Sequence, residues 1–294
     1  MTNNIFKVKI MVIHNSVRIY PKLENYIAYT AKRLSHEKKI LYATNPSENI
    51  MYAAFNTGLV DKSYDWIYAL FKENTRNPDK MQQWFLVDFV VAGQNAGKTL
   101  NSIFVDLPQR ANYFESLSNV LYDSSKRLRC DYEHILIEHP DRLPPEFIRR
   151  CCPDFTTING VTIEEAYSKD FRDEIRKDFY DEFSRLLQNS SSAYNILRQN
   201  FDDAVKMSIK RVERNHRTAV PMYYPTTNKG ALLLPLMLVA PDKVDVALVV
   251  TKEPSGAYQG QTILTLKMAY ENSRLVAKPN SDWLVEPAGN KNRA

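Results

Sequence analysis

Glycine is scarce in this chain, with 8 residues among 294. Loops that cradle phosphate groups depend on glycine, so the composition argues against a protein with several such loops. Cysteine is scarcer still: Cys130, Cys151 and Cys152 are an odd number, and no CxxC or Cys/His cluster surrounds them. These counts exclude a disulfide framework and indicate a reducing compartment, and we expect no metal site.

Long hydrophobic runs are also missing. No apolar segment approaches the ~20 residues that a membrane span requires. The N-terminal residues 1–5 lack the basic region and apolar stretch of a signal peptide. We therefore expect a cytoplasmic protein without a membrane partner. The net charge of +5 is mild, and it permits a nucleic-acid partner without requiring one.

Alternating patterns and short apolar runs predict strands before residue 140 and after residue 230, and Pro21 opens a predicted helix over residues 22–35. The predicted strands are residues 5–13, 38–43, 49–55, 82–91, 100–105, 120–122, 132–138, 231–239, 244–251 and 261–269. We expect an α+β fold with mostly antiparallel sheets and an inserted antiparallel helical hairpin. Its predicted parts are an α/β part (1–160), the hairpin (161–218), a β meander of the same domain (219–285) and a flexible tail (286–294).

Two segments of opposite charge form the predicted hairpin. Residues 163–187 have an apolar stripe at spacing four and otherwise acidic faces, and Thr162 with Glu165 forms a capping box at their start. Residues 194–217 have an apolar stripe and a basic stripe. Helical charge runs usually face solvent or an opposite charge, so in the simplest interpretation the basic stripe is mainly solvated or paired with the acidic helix.

The end of the basic helix is also the first candidate ligand site. Pro221 disfavours helical geometry in the residue before it, so the chain becomes extended beside these cations. Cations can meet phosphates, and nearby aromatic rings can stack on bases. The candidate residues are Arg211, Arg214, Asn215, Arg217 and Tyr223, with Tyr223 as the expected stacking ring.

Two other segments could add polar groups to a ligand site. Asn56 and Thr57 precede Gly58 at the end of an apolar strand, where a bulge could turn backbone amides toward a ligand. A purely structural turn explains the same residues equally well. Arg274 follows an aromatic and an amide residue at the predicted end of the last strand.

Residues 92–99 match the phosphate-loop pattern GxxxxGK[ST] if alanine is accepted at the first position. In such a loop Lys98 would bind the terminal phosphates and Thr99 would bind Mg²⁺. The surrounding sequence does not alternate strands and helices, as a parallel sheet around such a loop would require. A β-hairpin loop between Val91 and Leu100 is the alternative prediction.

Three ordered segments of the chain resemble a known family. They are residues 54–59, residues 211–224 and residues 262–275, the last followed by Trp283 and Leu284. Together they resemble the family called domain of unknown function 3825, over residues 26–284. The resemblance implies relatives in bacteria and fungi, some beside RNA-binding modules, and it supplies no catalytic residues.

Two classes of function follow from these features, and whether the protein is an enzyme stays open. The first is an RNA- or nucleotide-binding protein that uses the basic helix end. The second is a nucleotide-dependent enzyme that hydrolyses NTP with Mg²⁺ at residues 92–99. A protein-interaction scaffold in a stress or defence system, with a protein partner, is a further alternative.

Overall fold

The computed structural model describes residues 21–75, 83–170 and 172–285, and only the backbone of residues 21 and 22. The predicted strand at 5–13 and the predicted tail at 286–294 lie outside these residues. Contacts divide the chain into two compact units, Met1–Tyr113 and Phe114–Ala294. The sequence had indicated no boundary at Tyr113. Each unit has its own sheet and helices, and the fold class is α+β, as predicted.

The first unit contains an antiparallel meander in the order β1-β2-β3-β4. Alternate residues of its central strands enter different clusters, because successive side chains of a strand point to opposite faces. Phe55 and Phe71 pack with the first helix, while Tyr52 and Leu70 pack with Leu100 of the second. The elements are α1 (Pro21–His36), β1 (Leu41–Asn45), β2 (Ile50–Val60), β3 (Trp66–Glu73), β4 (Trp84–Val91) and α2 (Gly97–Ile103).

The second unit has a five-stranded sheet in the order β5-β11-β10-β9-β8. β5 runs parallel to β11, and the other neighbours are antiparallel. Residues 157–158 and 161–162 pair as a small hairpin. The strands are β5 (Leu128–Cys130), β6 (Thr157–Ile158), β7 (Val161–Thr162), β8 (Val220–Tyr224), β9 (Lys229–Leu236), β10 (Val246–Lys252) and β11 (Tyr258–Thr265).

Helices bury both faces of this sheet. Leu234 and Leu248 belong to a cluster with Phe201 of α6, whereas Leu233 and Val249 pack with Ala269 of α7. Strands that are buried on both sides read as continuous apolar runs, as β9 and β10 do. The helices of this unit are α3 (Pro145–Cys151), α4 (Ile163–Ser168), α5 (Glu174–Asn189), α6 (Ser191–Arg214) and α7 (Leu266–Val276).

Five short or irregular helical segments complete the described part of the second unit. Three are 3₁₀ turns that connect longer elements or begin at a proline, and a fourth 3₁₀ turn follows α6. They are Leu117–Val120, Pro140–Arg142, Pro153–Phe155 and His216–Thr218, and a π-helix spans Glu133–Glu138. A π-helix is rare in proteins and often marks a functional position.

Several predicted elements are confirmed. The first helix, the strands around residues 41–60 and 84–91, the basic helix and the C-terminal meander all occur. The capping box is present, since the backbone N–H of Glu165 donates to Oγ1 of Thr162 at 3.3 Å.

Pro235 pairs with β10 but lies beyond the end of the β8 pairing, which stops at Leu233. Its missing N–H therefore faces no neighbouring strand, as expected for proline.

Four strand predictions are wrong. Residues 100–105 belong largely to α2, and residues 120–122 are the end of a 3₁₀ turn and the two residues after it. Residues 132–138 contain the π-helix, and the strand predicted at 261–269 ends at Thr265, before α7 begins at Leu266. Short apolar runs do not distinguish a buried strand from a buried helical turn by their period. Thr265 caps the start of α7, because its side-chain oxygen accepts a hydrogen bond from the N–H of Met268.

The predicted acidic helix 163–187 is also wrong as one element, because it breaks into α4 and α5. Asp173 caps α5 by accepting from the N–H of Ile175 at 3.0 Å. The buried guanidinium of Arg176 donates to the carbonyls of Tyr167 and Lys169 at the end of α4. These bonds satisfy carbonyls that a continuous helix would have used internally. Side-chain hydrogen bonds of Asp173 and Arg176 therefore stabilise the break between α4 and α5.

The three cysteines are free thiols. Burial raises the pKa of Cys130 and of Cys152 to about 12, and it raises the pKa of Cys151 as well. A thiol reacts as its thiolate, and the thiolate fraction at pH 8 falls as the pKa rises.

We predict that the folded protein at pH 8 reacts with an aromatic disulfide reagent at least about a hundredfold more slowly than a free thiol. Three thiols per chain should react at the ordinary rate after unfolding in guanidinium. The measurement is the time course of reagent absorbance in both states. Fast reaction of even one thiol in the folded protein would contradict the burial described here.

Candidate functional site

Tyr223 lies in β8 with 0% of its surface exposed. Its hydroxyl donates to Oδ1 of Asn228 at 2.6 Å. A ring without exposed surface cannot stack on a base, so the expected stacking role does not fit the structure. The sequence places Tyr223 in an extended segment, but it does not show that the ring points into the protein.

Asn56 and Thr57 are buried residues of β2. Oδ1 of Asn56 accepts from the N–H of Gly58 at 2.9 Å. Oγ1 of Thr57 donates to the carbonyl of Ile67 at 2.6 Å and accepts from the N–H of Leu59. Both polar groups thus hold the bulge between β2 and β3, which supports the structural interpretation over a ligand-binding one.

The basic end of α6 separates into structural and exposed residues. A guanidinium N–H of Arg211 donates to the carbonyl of Pro241. Asn215 caps the following 3₁₀ turn, with Oδ1 accepting from the N–H of Arg217 at 3.1 Å. Arg214 and Arg217 are exposed, and within residues 21–75, 83–170 and 172–285 no carboxylate pairs with either guanidinium.

The acidic faces of α5 do not neutralise this basic stripe. Among the described residues, the carboxylates of these two helices that form ion pairs do so within their own helix: Glu182 with Arg185, and Asp203 with Lys206 at 3.0 Å. The basic stripe could be solvated or paired with the acidic helix, and the geometry supports solvation.

Trp283 adds an aromatic ring beside the basic end. Its indole N–H donates to the carbonyl of Thr218 at 2.8 Å, and its side chain is partly exposed. The bond spans 65 residues of sequence, so local pattern could not reveal it. We name Arg214, Arg217 and Trp283 the α6-end surface. Arg274 lies in the last turn of α7, partly exposed, and no hydrogen bond or ion pair in the described chain joins it to this surface.

The loop at residues 92–99 is held by its own hydrogen bonds. The N–H groups of Gly93, Gln94, Gly97, Lys98 and Thr99 all donate to carbonyls between Val91 and Gly97. A side chain at Gly97 would overlap the carbonyl of Val91, which explains this glycine without a phosphate. The loop leads from an antiparallel strand into the short helix α2, so the predicted hairpin loop is wrong. The five engaged N–H groups are not available to bind a phosphate in this conformation.

A cluster that sequence reasoning missed lies on the π-helix of the second unit. One ligand atom from each of His134, Glu138 and His139 lies within 4.8 Å of the others. Nδ1 of His134 is 2.6 Å from Oε2 of Glu138, and the two imidazole rings meet edge to face with centroids 4.6 Å apart. The spacing of four between His134 and Glu138 was the available signal, but a strand prediction puts residues 134 and 138 too far apart to meet.

The cluster opens onto a small polar pocket. Its lining includes Glu138, His139, Asp141, Arg176 and Tyr180. Burial lowers the pKa of His139, and the charges of Arg142 and His134 act in the same direction, against Asp141 and Glu138. Burial raises the pKa of Tyr180, so its hydroxyl keeps its proton at neutral pH.

Comparison with known proteins assigns the chain to a family. The family model described as "Domain of unknown function (DUF3825)" matches residues 12–283. The chain is a member of the DUF3825 family. No curated protein and no solved structure matches the chain.

The family match confirms the resemblance drawn from the ordered segments and extends it toward the N-terminus. The DUF3825 region includes both the basic end of α6 and the histidine cluster. The match supplies no function, so roles for these residues rest on their chemistry. No helix in the described part of this DUF3825 protein has the length and apolar character needed to cross a membrane.

We predict that Tyr223→Phe destabilises this DUF3825 protein by about 0.5–1.5 kcal/mol, because it removes the hydrogen bond to Asn228. The measurement is urea unfolding followed by far-UV circular dichroism. Tyr224→Phe is the matched control, since the Tyr224 hydroxyl has no hydrogen bond among the described residues, and it should change stability by less. Equal effects of the two changes would contradict the assignment of the Tyr223 hydroxyl as structural.

Proposed function

We propose that the protein binds single-stranded RNA through the α6-end surface. The observation that carries the proposal is the pair of exposed guanidiniums, Arg214 and Arg217, that lack a carboxylate partner among the described residues. Guanidinium groups recognise phosphate through a planar fork of donors. Two of them on one rigid helix end can contact successive phosphates of a strand.

The backbone that carries Arg214 and Arg217 is held in place, which favours a binding role over charges that are only solvated. Asn215 caps the turn that carries Arg217, and Arg211 ties the last turn of α6 to Pro241. The guanidiniums therefore project from a fixed backbone, which reduces the entropy lost on binding. Glu213 is exposed on the same turn and opposes the two cations. The expected affinity for phosphate alone is accordingly modest.

Trp283 replaces Tyr223 as the proposed stacking ring. Its N–H is engaged with Thr218, so the indole is oriented while part of its surface stays exposed. Stacking of a base on an aromatic ring requires an unpaired base, which favours single strands over duplexes. The same arrangement supports RNA more than a free nucleotide, because one nucleotide offers fewer phosphates to two separate guanidiniums.

NTP hydrolysis at residues 92–99 receives no comparable support. Five of the backbone N–H groups that would bind phosphate are engaged in hydrogen bonds within the loop. No contact within the described ranges favours the protein-interaction scaffold over RNA binding.

We predict that the double change Arg214→Ala with Arg217→Ala weakens binding of a labelled 12-nucleotide RNA at least tenfold. It should also reduce the slope of log affinity against log salt by about 1–2, because two phosphate contacts are lost. The measurement is fluorescence anisotropy at several salt concentrations. The experiment includes a matching duplex, for which we expect weaker binding.

The control is Arg172→Ala with Arg185→Ala, which also removes two positive charges. Arg172 lies just before the acidic helix α5, and Arg185 lies within it. This variant should keep most of the affinity of the wild type. Absence of RNA binding, or binding that ignores both salt and the Arg214/Arg217 change, would exclude the proposal. Tight binding of a mononucleotide without RNA binding would favour a closed nucleotide pocket instead.

A further inference from the structure

The cluster of His134, Glu138 and His139 has the residue types of a metal site. Two imidazoles and one carboxylate form a set that holds catalytic zinc while leaving a position open for another ligand. Tetrahedral zinc ligands lie about 3.4 Å apart when each is about 2.1 Å from the ion. The ligand atoms here lie within 4.8 Å of one another, so small side-chain rotations bring them to this spacing.

The side chains are free to make these rotations. The Glu138 side chain is 57% exposed, and those of His134 and His139 are 31% and 35% exposed. The π-helix backbone beneath them is fixed, because Ile135, Leu136 and Ile137 are buried in the core. The backbone therefore holds the three ligand positions while the ends of the side chains can adjust to an ion.

The hydrogen bond between Nδ1 of His134 and Oε2 of Glu138 fits the same role. The two atoms already face one another, and an ion can take the place of the proton between them. With its proton on Nε2, a neutral imidazole has its lone pair on Nδ1, where it can bind the same ion as the carboxylate.

A second, independent observation points to a ligand in the adjoining pocket. Tyr180 is 4% exposed, lines the pocket together with Glu138 and His139, and its hydroxyl has no hydrogen-bond partner among the described residues. A buried hydroxyl without a partner is costly, so such a group usually faces a water or a ligand. The pocket has a volume of about 170 Å³, which is enough for an ion with its waters.

The charges of the pocket lining favour a cation. Three carboxylates line it, those of Glu138, Asp141 and Asp181, against the two cations Arg176 and Lys177. With neutral histidines the lining therefore has a net negative charge. A site built for a free phosphate would have the opposite balance.

We propose that His134, Glu138 and His139 bind one divalent transition-metal ion, with Zn²⁺ as the preferred ion, and that Tyr180 donates a hydrogen bond to the water in the remaining position. Imidazole ligands select such ions, whereas Mg²⁺ and Ca²⁺ prefer oxygen ligands alone. This site is separate in the sequence from the α6-end surface, and its test does not depend on RNA binding.

A structural role makes a different prediction for the same residues. The His134–Glu138 pair joins residues one turn apart and would then only support the π-helix. In that case metal should not bind, and each change should affect stability alone. The two roles are therefore distinguished by metal affinity measured on folded variants.

The experiment measures Zn²⁺ binding to the full chain, purified without a histidine tag and stripped with a chelator, by calorimetry in the presence of millimolar Mg²⁺. We expect one equivalent of Zn²⁺. His139→Gln and Glu138→Gln should each weaken this binding by at least about tenfold, since each removes a ligand. His36→Gln, at an exposed histidine of α1, should leave it unchanged.

Near-UV circular dichroism of each variant verifies that the protein is folded. If a glutamine variant unfolds, Tyr180→Phe provides the second test, because it keeps the ring and removes only the hydroxyl. In the Co²⁺-loaded protein, this change should leave the stoichiometry at one and shift the pH midpoint of the visible spectrum, which reports ionisation of the bound water. A wild-type protein without a Zn²⁺ equivalent, or binding that the Gln changes leave intact, would overturn the proposal. An unchanged midpoint in Tyr180→Phe would overturn the role of Tyr180.

Discussion

Arg176 has a guanidinium with a full positive charge, and the residue is only 3% exposed. A buried charge is tolerated only when hydrogen bonds and nearby charges replace its water. Arg176 meets this need by donating to the carbonyls of Tyr167 and Lys169, and it also donates to the backbone of Asp141. This one side chain lies in the first turn of α5, binds the carbonyls at the end of α4 and holds the backbone of the 3₁₀ turn Pro140–Arg142.

The histidine cluster depends on the same anchor. His139 directly precedes the turn that Arg176 holds, and the rings of Tyr167 and Tyr180 lie 5.2 and 5.4 Å from the guanidinium carbon. Arg142, at the end of the turn, donates to Thr262 and to the carbonyl of Ile263 in β11. The position of His139 relative to the π-helix is thus fixed from two sides, by a helix and by the sheet. A metal site requires this kind of support, because its ligands must be held in place by the residues behind them.

The α6-end surface follows from a different constraint, the burial of the five-stranded sheet on both faces. α6 covers one face and α7 the other, so the exposed charges of α6 are confined to the side that the core does not use. The apolar stripe of α6 could be predicted because it repeats at three- and four-residue spacing over many residues. The direction of Tyr223 and the position of Trp283 could not be predicted, since both depend on hydrogen bonds to other segments of the chain.

The sequence by itself determined the α+β class, the long helices α1 and α6, the C-terminal meander and the family resemblance. These features are local and periodic, so each is repeated in enough neighbouring residues to be read without the fold. Only the tertiary structure decided that residues 132–138 form mostly a π-helix and that Tyr180 reaches the pocket beside His139. It also decided that Asn56, Thr57 and Tyr223 face inward. A short apolar run satisfies a strand and a buried helical turn equally, and the choice between them is made by contacts with residues far away in the chain.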